Sequence, residues 1–353
     1  MKKNVKFALV LASASFCALN LFAYNPPAGG ENLFGITGPS LFTTASSAAG
    51  GAFFEAGPSS VAFNPALPAF EQQNILEAGF TGLHCSDDPD DKSFGAAFSA
   101  GLSVPTKWGV GTGQLFGGNL PFYESQLGKF AGIKYVASRD VSEKLAAGIG
   151  FSAGYLWGYD KDFLAAADLG FMYWFGTAGV FKDLRFGASL LNLGKTFTDA
   201  EVLGIKGKKA DSYPGIGTLR TGIAGTFYES ENLSAAFSAD IAVPAVQNFI
   251  FDTGIQVKVM DFMTLSSSWE YNAQEYKEDC ENLMPSFGIS FKFLLNSKDS
   301  SFMKENGWQQ SELTVSSAYK KMYDHINAVS GGVKLELGLK DTEAPEIQLF
   351  GNE

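Results

Sequence analysis

The chain has 353 residues, with 37 acidic against 26 basic side chains, and its formal net charge of −11 argues against nucleic acid as a partner. Glycine (40 residues) and phenylalanine (32 residues) are abundant, which suits strands with small residues on one face and aromatic residues on the other. The two histidines, His84 and His325, belong to no recognisable metal-ligand pattern. We therefore expect no enzyme, no cofactor and no metal site.

Residues 1–23 have the pattern of a secretory signal peptide. Lys2, Lys3 and Lys6 form a positive n-region, an apolar stretch follows, and Ala23 is a small residue at the cleavage position. We therefore predict that the mature chain leaves the cytoplasm. Cys85 and Cys280 remain after cleavage, and the sequence leaves open whether they form a disulfide in an oxidising compartment.

The next segment, predicted as residues 24–73, is apolar but irregular. Between Ala48 and Phe70 it has neither the period of a helix nor that of a strand, and Gly50–Gly51 and Pro65 interrupt the backbone. The backbone N–H and C=O groups of such a segment need partners. We therefore predict that the rest of the chain encloses it as a hatch, or plug.

Two short motifs in this hatch resemble a known family. Gly50-Gly51-Ala52, followed by Asn64-Pro65-Ala66-Leu67 ahead of the first predicted strand, resembles the N-terminal hatch of FadL-type outer-membrane transporters of long-chain fatty acids, and of related PorV-like and spirochaete FadL-like proteins. One departure is Glu55-Ala56-Gly57-Pro58, where the family usually has an acidic pair. The resemblance implies a 14-stranded barrel in a bacterial outer membrane, with Gly50, Gly51, Asn64, Pro65, Ala66 and Leu67 as the hatch motif.

Alternation of large apolar with small or polar residues fills the chain after the hatch. From Leu145 to Gly158, for example, Ile149 and Phe151 lie on one face and Gly150 and Ser152 on the other. We predict fourteen such strands, an even number as in bacterial membrane barrels: 74–82, 94–104, 108–119, 128–137, 145–158, 163–174, 184–193, 218–228, 233–243, 249–259, 263–271, 286–293, 312–323 and 326–339. The fold class is therefore all-β, a transmembrane antiparallel β-barrel over residues 74–340, followed by an acidic tail at 341–353.

Two features favour a membrane barrel over a soluble sandwich. The alternating segments are longer than the five or six residues of typical soluble strands. Aromatic residues also cluster near predicted strand ends, where an interfacial girdle belongs, at Trp108, Tyr155, Trp157, Tyr173–Trp174 and Trp269–Tyr271. Several connections on the outward side are long (84–91, 194–214 and 272–285) and several on the hatch side are tight, with 294–310 on the hatch side as the exception.

Charged residues on the small-residue faces are predicted to point into the lumen, where most would pair with one another and with the hatch. If the ligand is a fatty acid, its carboxylate needs a placed cation, and Arg is the best donor. Arg185 and Arg220 are the first candidates, with Lys134 and Lys292 behind them. The competing interpretation is that both arginines only neutralise Asp168 or Asp240. The connection at 194–214 is a candidate capture surface, since it carries Phe197, Val202, Leu203 and Ile205 beside Lys206, Lys208 and Lys209.

The third predicted strand is unusually rich in glycine, which weakens strand pairing and often marks a bend. FadL-type proteins are thought to release ligand sideways through a kink in their third strand. The resemblance therefore implies a lateral opening at Gly109, Gly111, Gly113, Gly117 and Gly118, while tight packing of these residues against the hatch is the alternative.

The function that the resemblance implies is passive uptake of a hydrophobic ligand, a long-chain fatty acid, across a bacterial outer membrane. Its partners would be outer-membrane lipid and the hydrophobic molecule itself. Two alternatives stay open on the sequence: a PorV-like protein serving secretion or surface attachment, and a secreted soluble β-sandwich.

Overall fold

The computed structural model describes residues 33–71, 73–85, 94–122, 127–158, 161–198, 200–201, 205, 207–296, 303, 306–323 and 325–338. The predicted signal peptide, the first part of the predicted hatch and the acidic tail lie outside these residues. Within the described part of the chain, no helix is long and apolar enough to cross a membrane.

Fourteen antiparallel strands close into one barrel. Together with a two-stranded hairpin in one connection they are β1 (Asn74–Cys85), β2 (Phe94–Thr106), β3 (Gly109–Leu120), β4 (Gly128–Ser142), β5 (Leu145–Trp157), β6 (Asp162–Ala178), β7 (Phe181–Lys195), the hairpin β8 (Ala200–Glu201) and β9 (Lys209–Ala210), then β10 (Thr218–Glu229), β11 (Leu233–Val243), β12 (Ile250–Val259), β13 (Met263–Asn272), β14 (Ser286–Asn296), β15 (Gln310–Met322) and β16 (Ile326–Leu337). Each barrel strand pairs with its neighbours in the chain, and β1 pairs with β16 to close the ring.

All fourteen predicted strands are confirmed, and the closed ring excludes the soluble sandwich. The strands have 10 to 17 residues, and several extend beyond their predicted ends, as β4 does to Ser142 and β6 to Ala178. We call the end of the barrel at the Asn74–Leu337 pair the proximal end, and the end at the Cys85–Ile326 pair the distal end.

The outer surface of the barrel is apolar. On β2, for example, Phe94, Phe98 and Leu102 are exposed, while Ala97 and Ser99 between them are buried. Such a continuous apolar outer face is typical of a membrane barrel. Stacked aromatic pairs lie on the two sides of the distal rim, Tyr155 with Trp157 and Trp269 with Tyr271.

One predicted girdle residue is placed differently. Tyr173 faces outward, but Trp174 is the next residue on β6 and therefore points into the lumen, where its ring contacts Phe54 and Phe70 at centroid distances of 5.0 and 5.8 Å. The prediction that Trp174 belongs to an interfacial girdle was wrong, because two adjacent strand residues cannot share one face.

Residues 33–71 fill the barrel as an irregular, largely buried segment. Four 3-10 turns support it, Leu33–Ile36, Pro39–Leu41, Ser60–Ala62 and Leu67–Phe70. Gly50 and Gly51 both have φ of +85°, a conformation that residues with a Cβ rarely adopt, so the chain reverses there without strain. We call residues 33–71 the hatch below.

Candidate functional site: the hatch and the lumen around it

Asn64 binds two parts of the molecule at once. Its side-chain Nδ2 donates to the carbonyl of Ala48 in the hatch at 2.7 Å and to the carbonyl of Phe171 on β6 at 2.9 Å. Its Oδ1 accepts from the N–H of Ala66 at 2.9 Å, which closes the Asn64-Pro65-Ala66 turn. Asn64 is fully buried, so its amide group needs these hydrogen bonds in place of water. The structure thus places the hatch motif inside the barrel, against β6.

The hatch backbone contacts the barrel wall at glycine residues. A Cβ added at Gly187 of β7 would lie 1.7 Å from the carbonyl oxygen of Ala48, and one at Gly148 of β5 would lie 2.1 Å from that of Pro65. At Gly170 of β6 it would lie 2.1 Å from Oδ1 of Asn64. These approaches explain the small-residue faces of the sequence, because the hatch backbone occupies the volume that side chains would take.

Arg185, the first candidate for a ligand carboxylate, is instead occupied by the hatch. Its guanidinium donates to the carbonyls of Ala49 (3.1 Å), Gly51 (2.8 Å) and Ala52 (2.8 Å). The ring of Trp174 lies 5.4 Å from the guanidinium carbon. The competing interpretation, a pair with Asp168 or Asp240, was wrong for Arg185: its partners are backbone carbonyls, which sequence patterns do not reveal.

Arg220 does pair with Asp240, as the competing interpretation predicted. Nε of Arg220 lies 2.8 Å from Oδ2 of Asp240, and Asp252 is 3.9 Å from its Nη2. The same Oδ2 of Asp240 accepts from the N–H of Ala48 at 2.8 Å. This cluster therefore links β10, β11 and β12 to the hatch at the segment that Asn64 also binds.

The two candidate lysines also have protein partners. Nζ of Lys134 lies 2.6 Å from Asp168, and both side chains are fully buried. Nζ of Lys292 lies 2.8 Å from Glu312 in a pair that is partly open to solvent. Every one of the four predicted carboxylate-binding cations thus has a charged or carbonyl partner within the chain.

A large apolar cluster occupies the distal half of the lumen, mainly on the side of β1 to β7. Its centre is aromatic: the rings of Phe34 and Phe116 meet edge to face at 4.3 Å, and Phe130 lies 6.5 Å from Phe116. Phe122, Leu156 and Leu164 are among the buried residues that surround them. We call the whole of this buried apolar cluster the aromatic cluster. This cluster is the most favourable environment in the lumen for an apolar molecule.

The long connection between β7 and β10 folds over this cluster. Phe197 and Ile205, proposed from the sequence as a capture surface, are both buried within the cluster, as is Tyr213. Lys208 forms an ion pair of 2.9 Å with Glu278 of the connection between β13 and β14. The described part of the connection therefore covers the distal mouth, with Phe197, Ile205 and Tyr213 turned inward, while Val202 and Leu203 lie outside the described residues.

The predicted lateral opening at the third strand is wrong for this structure. β3 pairs with β2 from Gly109 to Asn119 and with β4 from Val110 to Leu120, without a register shift on either side. Gly111, Gly113 and Gly117 lie on the outer face, where Tyr135 and Phe98 cover two of them, so they do not pack against the hatch either. Gly118 faces inward, against Phe130, while Gly109 has φ of +126° at the start of β3.

Cys85 and Cys280 are both buried in the aromatic cluster, and neither is in a disulfide. The barrel thus brings two cysteines that are distant in sequence into one apolar environment as thiols. Among the described residues, no group of three or more His, Cys, Asp and Glu could hold a metal ion.

Sequence reasoning missed several residues that hold the hatch. Glu77 of β1 accepts from the N–H and the hydroxyl of Ser59, at 2.9 and 2.6 Å. Ser189 of β7 donates to the carbonyl of Phe63 at 2.7 Å, and Gln256 of β12 accepts from the N–H of Phe53 at 3.0 Å. The alternation of the strands predicts that these three side chains point inward. Their hydrogen-bond partners cannot be predicted in this way, because they depend on the path of the hatch.

A closed 14-stranded antiparallel barrel with an internal hatch defines the class of this protein. Among solved structures, a deltaS2S3 mutant of the monoaromatic hydrocarbon channel TodX is similar, with a TM-score of 0.50 and 12% identity over 81% of this chain and 95% of that one. TodX belongs to the FadL-type outer-membrane transporters, so the predicted resemblance to that type is confirmed for the fold.

Two further solved structures cover most of the chain at lower similarity. The Pseudomonas putida toluene transporter TodX has a TM-score of 0.45 and 11% identity over 90% of this chain and 99% of that one. A Pseudomonas aeruginosa FadL homologue has a TM-score of 0.43 and 11% identity over 89% and 98%. No protein-family model matches the chain, and no curated protein matches its sequence.

Proposed function

We propose that this protein is an outer-membrane channel for the passive uptake of hydrophobic small molecules. The observation that carries the proposal is the aromatic cluster, a buried group of phenylalanine rings in the distal half of a lumen whose centre the hatch closes. Channels of the same fold, TodX among them, are named for monoaromatic hydrocarbons, which supports a hydrophobic ligand. Most of the longer connections lie at the distal end, the one between β14 and β15 being the exception, and we therefore place the distal end outside the cell.

The mechanism has three steps. A hydrophobic molecule enters at the distal mouth when the connection between β7 and β10 moves aside, since its Phe197 and Ile205 are buried against the aromatic cluster in the closed state. It then enters the aromatic cluster, where burial of apolar surface contributes about 25 cal/mol for each Å² removed from water. Release requires the hatch to shift, since Asn64, Arg185 and Asp240 hold it against the wall by hydrogen bonds.

Long-chain fatty acids are the ligand that the resemblance suggests, and their carboxylate is the feature to test. A ligand carboxylate that used Arg220 would have to replace Asp240, and one that used Arg185 would have to replace three hatch carbonyls. We therefore propose that the lumen selects the apolar chain and leaves the carboxylate near the distal mouth. On this account a neutral hydrocarbon and a fatty acid of equal chain length compete for the same site.

The test compares two neighbouring residues of β3. Phe116 faces the cluster and Leu115, 57% exposed, faces outward. Replacing Phe116 with Gln puts an unpaired amide among the rings, which costs about 1–3 kcal/mol and makes the site poorer for an apolar ligand. We expect liposomes containing the full-length Phe116→Gln protein to take up a labelled fatty acid and a neutral hydrocarbon about tenfold more slowly, and Leu115→Gln to match the wild type.

Equal uptake by wild type and Phe116→Gln, with both barrels folded, would reject the cluster as the ligand site. No uptake of either molecule by the wild type would reject the channel and favour the secretion or attachment role. Uptake of the fatty acid alone, lost in Arg220→Gln, would restore the carboxylate-binding role of that arginine.

A further inference from the structure

The lumen has a polar side opposite the aromatic cluster. On the inner faces of β13, β14 and β15, side chains with hydroxyl groups follow one another: Ser266, Ser268, Ser286, Ser290, Thr314 and Ser316. We call these residues the hydroxyl face. Six hydroxyl groups on neighbouring strands form a surface that hydrogen-bonds well to water and poorly to a hydrocarbon. Nothing in the uptake of hydrophobic molecules requires such a surface.

Two cavities lie along the hydroxyl face, one on each side of the hatch. The proximal cavity is lined by Ser290, Thr314 and Ser316 on the wall and by Ser40 and Ser60 on the hatch. The distal cavity is lined by Ser268 and Ser286, together with Glu270, Asn282 and Lys320. Most of the residues that line each cavity are polar.

The two cavities approach each other along β13. Ser266 and Ser268 are successive inward residues of β13, about 7 Å apart, and one lines each cavity. Between them, Ser268 donates to the carbonyl of Phe42 at 3.1 Å, and Ser266 bonds to the hydroxyl of Thr43 at 3.1 Å. The Thr43 methyl group lies against Gly288 of β14. Phe42 and Thr43 thus close a neck between the cavities.

The charges at the proximal cavity favour cations. Glu55 and Glu77 line it together with one amine, that of Lys334, which lies 3.5 Å from Glu336. The formal charge of this lining is negative among the described residues. A carboxylate-lined polar pore prefers cations, because the fixed charges replace part of the energy that an ion loses with its water.

We propose that the hydroxyl face is a second path through the barrel, which conducts small hydrated cations and is gated by Phe42 and Thr43. This function lies beyond the uptake of hydrophobic molecules and uses the wall of β13 to β15, with Phe42 of the aromatic cluster at its border. Opening needs a shift of two hatch residues by the width of a side chain, because the cavities on both sides already exist. The bonds that hold the neck closed link neutral hydroxyls to one another and to a backbone carbonyl, so they are weaker than the charged contacts of Arg185.

The test is ion conductance of the purified full-length protein in planar bilayers with potassium chloride. Thr43→Gly removes the side chain that fills the neck, and we expect conductance about threefold or more above the wild type, with potassium preferred over chloride in a salt gradient. Adding Ser316→Phe, which fills the proximal cavity, should return the conductance of Thr43→Gly to the wild-type level. Adding Val315→Phe, the outward neighbour on β15, should leave it raised.

A second variant keeps the test informative if Thr43→Gly disrupts the fold of the hatch. Ser268→Ala removes the hydroxyl that binds Phe42, with a smaller change of volume, and should raise conductance less. Folding of each protein is checked by its heat-modifiable migration on gels. Wild-type conductance in both folded variants would overturn the proposal, as would equal effects of Ser316→Phe and Val315→Phe. Chloride preference would overturn its assignment to cations.

Discussion

The two sides of the lumen are built on different chemistry although one barrel and one hatch form both. On the side of β1 to β7 the lumen is lined by aromatic rings, and the ion pair Lys134–Asp168 is fully buried, with Nζ of Lys134 lying 4.9 Å from the ring centre of Phe34. On the side of β12 to β16, the wall carries hydroxyl groups, and the ion pairs Lys292–Glu312 and Lys320–Glu270 are partly open to solvent. An ion pair should therefore contribute more to the free energy of unfolding on the aromatic side than on the polar side, because water competes for the charges on the polar side only.

The largest effect is expected at Lys134. Lys134→Met leaves the Asp168 carboxylate buried without its cation, which destabilises a folded protein by about 3–5 kcal/mol. The measurement is the free energy of unfolding in denaturant, with the barrel in detergent micelles. The double variant Lys134→Met with Asp168→Leu removes both charges and should recover more than half of the loss. If Lys134→Met lowers the free energy of unfolding by less than Lys292→Met does, the two sides of the lumen do not differ as described.

The next effect is expected where the wall touches the hatch backbone. Gly187→Ala places a Cβ 1.7 Å from the carbonyl oxygen of Ala48, and neither backbone can yield easily, so we expect about 3 kcal/mol of destabilisation. The control is Gly113→Ala, where no atom lies within 4 Å of the new Cβ. Thermal unfolding of both variants checks this, and equal midpoints would show that the hatch does not lie against β7.

Arg185→Lys should loosen the hatch with little effect on the wall. Lysine keeps the charge but has no fork to reach the carbonyls of Ala49, Gly51 and Ala52 together, so we expect a loss of about 2 kcal/mol. Limited proteolysis of the hatch should become faster, while the heat-modifiable migration of the barrel stays unchanged. Unchanged proteolysis would show that these contacts do not hold the hatch.

The smallest effect is expected on the polar side. Lys292→Met removes a pair whose lysine side chain is 42% exposed, and solvent screens such a pair, so the loss should stay below about 1 kcal/mol. It should also shrink as salt is raised, because mobile ions weaken exposed pairs more than buried ones. A loss of unfolding free energy equal to that in Lys134→Met, independent of salt, would show that the polar side is as dry as the aromatic side.

The sequence predicted the wall better than the lumen, and the reason is physical. Alternation is a local signal, so Ile149 and Phe151 are enough to place the outer face of β5, and all fourteen strands follow in the same way. The inward position of Lys134, Arg185 and Arg220 follows from the same pattern. Their partners do not, because Lys134 and Asp168 lie on strands two apart, and the carbonyls around Arg185 belong to a hatch with no periodic signal.

The third strand shows where a local signal misled. Its glycines predicted either a lateral opening or packing against the hatch, but three of them lie on the outer face and the pairing continues on both sides. The composition of a strand does not state which face each residue takes until the register is known. The glycines that do matter for the hatch, Gly148, Gly170 and Gly187, are spread over three strands.

The most direct test is a crystal structure of the protein grown with a saturating long-chain hydrocarbon or fatty acid. We predict ligand density in the distal half of the lumen, in contact with Phe34, Phe116 and Phe130, with the hatch still in the barrel and Asn64 bound to Phe171 or displaced from it by the ligand. Density against the hydroxyl face of β13 to β15, with the aromatic cluster unchanged, would contradict the division of the lumen on which this account rests.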